Sequence, residues 1–232
     1  MYGLTSVLLI PKGISSKLFK SEKVNREAPM FPFDVILFDV GGVLLTNGWD
    51  HCERAVVLDQ FELDRAAFEA RHPDANDAWE RDAITVNEYL DATVFYEPRS
   101  FSHQDFIAAL CAQSRLLPNG GLGILGELAA SDKYVLGALN NEARVPNEYR
   151  FREFGLRKYF DVALSSCYVG LRKPGAEIYH RALDILGRPA ERILFIDDRQ
   201  ENVAAAAAAG FKTIRFVSAD ALRRELEHLE VF

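Results

Sequence analysis

The chain has 232 residues, of which 49% are hydrophobic, and it carries a formal net charge of -7 at pH 7. This length and apolar content are enough for one domain with a sizeable core plus an insertion. The acidic balance disfavours nucleic-acid binding, which needs clustered Lys and Arg. The three cysteines are scattered and form no CxxC pair, so we expect a reducing, cytoplasmic location. No apolar run approaches the ~20 residues that span a bilayer, so we expect no membrane partner.

The first 30 residues are interpreted as a mobile leader. Residues 4–10, LTSVLLI, are apolar, but no basic residue precedes them and no small-residue cleavage site follows, unlike a secretory signal. A polar stretch of mixed charge comes next. Met30 lies just before the first predicted strand and is an alternative candidate for the start of the native protein.

Short apolar runs alternate with helix-like stretches in most of the remaining chain. The runs are almost continuously apolar, which is typical of strands buried on both faces of a parallel sheet. Strands are predicted over residues 34–40, 133–140, 161–166, 192–197 and 212–217. Helices are predicted over residues 123–131, 174–187 and 201–210. This alternation predicts an α/β fold with a doubly wound, Rossmann-like parallel sheet.

Residues 48–118 differ, because they show helical periodicity and contain no strand-like run. We predict that they form an all-helical cap inserted after the first strand. The Rossmann-like core then comprises residues 31–47 and 119–232. An insertion beside the carboxyl ends of parallel strands lies over the crevice in which such sheets bind ligands, so the cap is expected to select the substrate.

Polar side chains follow four of the predicted strands, at or shortly after the point where each ends. They are Asp39, Asn140, Asn141, Lys173, Asp197 and Asp198. Because these strand ends lie on one edge of a parallel sheet, the side chains should converge there. Carboxylates bind Mg²⁺, lysine and amide groups hold phosphate oxygens, and a carboxylate can act as a nucleophile. The set therefore favours phosphoryl transfer, although each residue alone would also suit a helix cap, a turn or a solvated surface.

Four segments, in this order along the chain, carry a family resemblance: FDVGGVL, ALNN, GLRKPGAEIY and ILFIDDRQEN. They resemble the four motifs of the haloacid dehalogenase-like hydrolase superfamily. Within it the chain is most similar to the phosphatase branch that includes the N-terminal domain of soluble epoxide hydrolases and bacterial sugar-phosphate phosphatases. The resemblance extends from residue 33 to about residue 220 and includes a helical cap in the same place.

The resemblance implies a Mg²⁺ site at the end of the first strand. Asp39 would be both the nucleophile and a metal ligand. The backbone carbonyl of Gly41 would be a second ligand, and Asp198 would complete the site. Asp197 and Asn202 would orient metal-bound water.

The resemblance also implies the residues that contact the phosphoryl group. Asn140 stands where the family usually has Ser or Thr, and it would bind the transferring phosphoryl group. Asn141 would donate an amide hydrogen beside it. Lys173 would neutralise the charges of Asp39 and of the phosphate.

Gly41 departs from the pattern of the family's phosphatases, which usually carry a second aspartate there. That aspartate protonates the leaving group and then activates water, a contribution typically worth ~10²–10⁴-fold. Its absence predicts a phosphatase that is slow, restricted to good leaving groups, or aided by another acid. Asp50 and His51 are the nearest substitutes along the chain.

The leading prediction is a Mg²⁺-dependent phosphatase that hydrolyses a small phosphorylated metabolite through an aspartyl-phosphate. Two alternatives stay open. The first is a metal-independent dehalogenase, for which the missing aspartate is no obstacle, although the Asp197–Asp198 pair would then have no purpose. The second is a degenerate protein that binds a phosphorylated ligand without turning it over.

Overall fold

The structure is a computed structural model that describes residues 8–9 and 32–232. The leader predicted over residues 1–30 lies outside the described residues, except for residues 8–9, and stays a prediction. None of the helices in the described ranges combines the length and the apolar composition needed to cross a membrane.

One six-stranded sheet lies at the centre of the described structure. Its strands are β1 (Leu8–Leu9), β2 (Val35–Phe38), β3 (Val135–Ala138), β4 (Val162–Ala163), β5 (Ile193–Asp197) and β6 (Lys212–Arg215). The spatial order is β1-β4-β3-β2-β5-β6. Strands β2 to β6 are parallel, and β1 pairs with β4 in the antiparallel sense. The predicted parallel sheet is therefore confirmed, with one antiparallel edge strand that was not predicted.

The register of the sheet brings three strand ends together. Phe38, the last residue of β2, pairs with Ala138 of β3 on one side and with Ile196 of β5 on the other. The residues that follow β2 and β3 and that end β5 consequently leave the sheet side by side.

Helices cover both faces of this sheet and fill the region after β2. They are α1 (His51–Gln60), α2 (Arg65–Glu69), α3 (His72–Glu80), α4 (Val86–Thr93), α5 (His103–Cys111), α6 (Leu122–Ser131), α7 (Arg144–Glu153), α8 (Ser166–Val169), α9 (Ala176–Leu186), α10 (Gln200–Ala208) and α11 (Ala219–His228). Helix α7 was not predicted. Its sequence, RVPNEYRFRE, lacks an apolar stripe, and half of its buried residues are the polar Asn147 and Arg150.

Alternate residues of β2 enter two different hydrophobic clusters. Ile36 and Phe38 pack with apolar residues of α6, α7 and α11 on one face. Val35 and Leu37 pack with residues of α9 and α10 on the other. Burial on both faces explains why the β2 sequence is continuously apolar rather than alternating.

The helices between β2 and α6 have a hydrophobic cluster of their own, which runs from Trp49 to Cys111 and includes Ala143. At its centre the indole Nε1 of Trp49 donates a hydrogen bond to the Tyr89 hydroxyl over 2.9 Å. The same hydroxyl lies 2.8 Å from Nδ1 of the buried His72. These helices, α1 to α5, all lie within the range 48–118 predicted for the cap, and we refer to them as the cap.

The burial of β2 predicts how the stability of the protein responds when one of its side chains is shortened. Leu37 is fully buried, so replacing it by alanine removes packed methyl groups and leaves a cavity. We expect Leu37→Ala to lower the free energy of unfolding by about 2–5 kcal/mol, measured by urea denaturation.

The matched control is Leu116→Ala, because the Leu116 side chain is 55% exposed. This substitution should change the free energy of unfolding by no more than about 0.5 kcal/mol. Similar losses in the two variants would contradict the placement of Leu37 in the core.

Candidate active site

A cavity of about 280 Å³ lies between the carboxyl edge of the sheet and the cap. Of the predicted site residues, Asp39, Gly41, Asn141, Lys173 and Asn202 line it. Most of its other lining residues are charged or carry an amide. The cavity is therefore a polar compartment with the predicted nucleophile in its wall.

Lys173 lies between the carboxylates of Asp39, which directly follows β2, and of Asp197, the last residue of β5. Its side chain is buried, with Nζ 2.6 Å from Asp197 Oδ2 and 3.1 Å from Asp39 Oδ1. The Asp197 carboxylate also accepts hydrogen bonds from the Asn202 side chain and from the backbone N–H of Arg199. Both Asp197 oxygens are thus engaged, and this carboxylate holds the lysine in place beside Asp39.

The local charges shift the pKa of Asp39 and of Lys173. Burial raises the pKa of Asp39 to about 7, against the opposing effect of Lys173, and Asp197 adds to the rise. Burial alone would lower the pKa of Lys173, but Asp39 and Asp197 outweigh it and raise that pKa above its ordinary value. The lysine is consequently held as an ammonium, and the carboxylates around it outnumber it.

The arrangement of these carboxylates fits a hard cation. Asp39, Asp197 and Asp198 each offer an oxygen, and these oxygens lie within 4.8 Å of one another. Oδ1 of Asp198 is buried without a hydrogen-bond partner. Because an unpaired buried carboxylate oxygen is costly and Mg²⁺ binds oxygen ligands, Asp39 and Asp198 are the side chains suited to hold the metal.

Gly42 is a site residue that the sequence analysis did not single out. It has a φ of +70°, which favours glycine, and a Cβ there would lie 2.2 Å from Asp198 Oδ2. The turn after β2 can therefore approach the Asp198 carboxylate only because residue 42 has no side chain. The paired glycines 41 and 42, one residue beyond Val40, were the available signal.

Asn140 is placed differently from its predicted role as a ligand of the phosphoryl group. It is buried and is not among the cavity-lining residues. Its Nδ2 donates to Asn147 Oδ1 over 3.0 Å, and its Oδ1 accepts from the Ser165 hydroxyl over 2.7 Å. The Asn147 amide closes the triangle by donating to Ser165. The side chain of Asn140 is turned into the core because both ends of its amide find partners there.

Asn141 lines the cavity, but its amide is used mainly to hold the lysine loop. Nδ2 donates to the Lys173 carbonyl over 2.8 Å, and Oδ1 accepts from the Lys173 N–H over 2.9 Å. This reciprocal pair fixes the loop after β3 to the loop that carries the lysine.

Asp50 and His51, the two substitute acids suggested by the sequence, occupy different positions relative to the cavity. Asp50 lines the cavity, where it accepts from the His51 N–H and pairs with Arg199 Nη2 over 3.0 Å. Partial burial opposes ionisation of Asp50, but hydrogen bonds from His51 and the charge of Arg199 lower its pKa. His51 is exposed and is not among the lining residues.

Glu142 and Arg150 form a buried ion pair in the cavity wall that the sequence analysis missed. Arg150 Nη1 donates to Glu142 Oε2 over 2.5 Å, and Nη2 donates to the carbonyl of Thr46. Burial raises the pKa of Glu142 to about 7, although Arg150 acts to lower it. Glu142 directly follows the two asparagines at the end of β3, so its position on the sheet edge was readable. Nothing in the sequence distinguished Arg150 from the other arginines.

Ion pairs connect the cap to the core around the cavity. Arg172 of the core lies 2.8 Å from Asp77 and 2.6 Å from Glu80, both on α3. Arg144 of α7 lies 2.6 Å from Asp82, just after α3. In these pairs the core contributes the arginine and the cap contributes the carboxylate.

The sequence of this chain is similar to those of known proteins. The chain is 29% identical over 187 residues to flavin mononucleotide hydrolase 1 of Arabidopsis thaliana, a match that covers 76% of this chain and 74% of that protein. It is 36% identical over 72 residues to bifunctional epoxide hydrolase 2 of Sus scrofa, but this match covers only 31% of this chain and 13% of that protein.

Solved structures show the same fold. The HAD family enzyme bt-2542 of Bacteroides thetaiotaomicron superposes with a TM-score of 0.69 at 23% identity, covering 80% of this chain and 94% of that one. That enzyme has also been solved in complex with magnesium and inorganic phosphate. The family model for haloacid dehalogenase-like hydrolases matches residues 33–210. With its parallel sheet, its cap and its four strand-end segments in order, this chain belongs to the haloacid dehalogenase-like hydrolase family.

Proposed function

We propose that this protein is a Mg²⁺-dependent phosphomonoesterase that acts on a small phosphorylated metabolite. The observation that carries the proposal is the arrangement around Asp39: a buried carboxylate held by Lys173 in the wall of a polar cavity, next to the unpaired Asp198 oxygen. A nucleophile, a fixed cation and a metal-binding carboxylate are the groups that phosphoryl transfer needs.

The proposed reaction has two steps. In the first, an oxygen of Asp39 attacks phosphorus, the bond from phosphorus to the substrate oxygen breaks, and the alcohol leaves with a proton. In the second, water gives up a proton and attacks phosphorus, which releases inorganic phosphate and restores the Asp39 carboxylate. Lys173 stabilises the charge on the transferring group. Mg²⁺ bound by Asp39, Asp198 and the Gly41 carbonyl would add charge neutralisation.

The cavity favours a small and hydrophilic substrate. Its volume of about 280 Å³ lies just below the roughly 300–1,000 Å³ that is usual for small-molecule sites. Its lining includes the arginines 54, 150, 172 and 199, and arginine pairs well with phosphate. Flavin mononucleotide, named for the Arabidopsis relative, is itself a phosphate monoester, which supports the same substrate class here.

The metal-independent dehalogenase is less well supported. A carboxylate that attacks a halogenated carbon needs no second carboxylate with an unpaired buried oxygen, yet Asp198 provides one. A binding protein without turnover would not require the Lys173 ammonium to lie 3.1 Å from a nucleophilic Asp39.

Phosphate release tests the proposal directly. Inorganic phosphate would be measured with sugar phosphates, mononucleotides and 4-nitrophenyl phosphate as substrates. We expect release with Mg²⁺, loss of release with a chelator, and loss in Asp39→Asn, because the amide is not a nucleophile of this kind. The matched control is Asp184→Asn, the same change at an exposed position of α9, which should keep full activity.

Release that survives either the chelator or Asp39→Asn would contradict the proposed mechanism. If even 4-nitrophenyl phosphate gives no phosphate, the activity itself is refuted. Chloride release from 2-chloropropionate without metal would then identify the dehalogenase, and phosphate binding without hydrolysis would identify the binding protein.

The turn after β2 gives a second prediction. In Gly42→Ala the new methyl group would collide with the Asp198 carboxylate and displace it from the metal site. A misplacement of about 1 Å in an active site costs on the order of 10²-fold in rate. We therefore expect a loss of that order in phosphate release and a higher Mg²⁺ concentration for half-maximal activity.

The control for this prediction is Gly123→Ala, since a Cβ at residue 123 of α6 has no neighbour within 4 Å. It should leave both readouts unchanged. Gly42→Ala with normal Mg²⁺ dependence would show that Asp198 does not need its present position.

A further inference from the structure

We propose that Glu142 is the general acid and base of the reaction, acting in place of the side chain that Gly41 lacks, and that Arg150 positions it. This inference rests on the proposed phosphatase function and assigns a catalytic residue to it.

The geometry links Glu142 to the space beside Gly41 through Arg150. Arg150 Nη1 lies 2.5 Å from Glu142 Oε2. The same nitrogen lies 3.8 Å from the position that a Cβ on Gly41 would occupy. One guanidinium nitrogen thus connects the Glu142 carboxylate to the space that a residue two positions after the nucleophile would fill.

The pair is rigidly held. Arg150 is only 2% exposed, and its second nitrogen donates to the Thr46 carbonyl, on the segment between Gly41 and the cap. The backbone N–H of Glu142 donates to the Ser166 hydroxyl over 2.9 Å. A fixed acid that lines the same cavity as Asp39 meets the first requirement of general acid–base catalysis, which is placement.

The surroundings of Glu142 also suit both directions of proton transfer. Burial raises its pKa to about 7; Arg150 opposes the rise and Glu80 adds to it. The rise makes the protonated form of Glu142 more accessible than that of an exposed glutamate, which favours a group that gives and then takes a proton.

Two other carboxylates in the cavity wall are committed elsewhere. Asp50 caps α1, pairs with Arg199 and has a lowered pKa, so it is a poor proton donor. Glu80 lies 2.6 Å from Arg172 in an ion pair that connects the cap to the core. Glu142 is paired with an arginine too, but its partner is the one that reaches the space beside Gly41.

The protons balance over the two steps. Protonated Glu142 gives its proton to the substrate oxygen as the bond from that oxygen to phosphorus breaks. The resulting carboxylate takes a proton from the water that attacks the phosphorylated Asp39. Phosphate leaves, and Glu142 is again protonated for the next turnover.

The test compares two leaving groups in Glu142→Gln, which keeps the shape of the side chain and an oxygen to accept from Arg150. The kcat/KM for a phosphorylated alcohol should fall by about 10²–10⁴-fold. For 4-nitrophenyl phosphate, whose leaving group needs no proton, the fall should be less than about tenfold, because only acid help is lost in the step that kcat/KM reports. Glu148→Gln, the same change at an exposed position of α7, should alter neither value.

A second variant tests whether a carboxylate at position 41 can take over the role of Glu142. Residue 41 has an ordinary backbone conformation. A Cβ there would lie 3.1 Å from the flexible Asn47 side chain, 3.4 Å from Asn47 Cα and 3.8 Å from Arg150 Nη1. Adding Gly41→Asp to Glu142→Gln should restore most of the lost activity toward the phosphorylated alcohol.

Equal losses for the two substrates would overturn the inference and assign Glu142 a structural role. Unchanged kinetics would also overturn the inference. If Glu142→Gln does not fold, as judged by circular dichroism, Glu142→Asp must show the same selective loss for the inference to stand. Absence of phosphate release in the wild type would refute the proposed function itself, whereas an active wild type with equal losses refutes only the role of Glu142.

Discussion

The ammonium of Lys173 is the charge on which the whole site depends. Three carboxylates meet at the carboxyl edge of the sheet with oxygens within 4.8 Å of one another, and their mutual repulsion is not screened by water because two of them are buried. Lys173 lies between those two, Asp39 and Asp197. Removing one partner of such a buried pair typically costs about 3–5 kcal/mol, since the remaining charge is left uncompensated.

The position of Lys173 in turn depends on the order of the strands. Because β2 lies between β3 and β5, the carboxylates of Asp39 and Asp197 leave the sheet side by side. The lysine reaches them from the loop after β4 and α8, and the Asn141 side chain fixes its backbone there. The loops after β2, after β3 and after α8, which are far apart in sequence, are thereby held in fixed positions relative to one another. A preorganised electrostatic site requires such fixed positions.

The sequence predicted the parts of the site that follow from local rules. Strands buried on both faces are continuously apolar, so their ends could be located. Asp39 and Asp198 could be placed at those ends, and Lys173 could be placed in a loop on the same edge. The orientation of Asn140 could not be predicted, because its partners Asn147 and Ser165 come from α7 and from the residue that precedes α8. Arg150 was invisible for the same reason: its importance comes from tertiary contacts with Glu142 and Thr46, in a helix without an apolar stripe.

The ion pairs between cap and core have a consequence for how the site opens. Arg144 and Asp82 are each 38% exposed, and Arg172 and Asp77 are 30% and 40% exposed, so added salt screens their attraction. The hold of the cap on the core should therefore weaken as ionic strength rises. Because the core side of these pairs is cationic, dissolved anions compete with the cap carboxylates for the same guanidinium groups. In the proposed reaction the phosphate product is such an anion, and its competition with Asp77 and Glu80 for Arg172 would couple product formation to release of the cap.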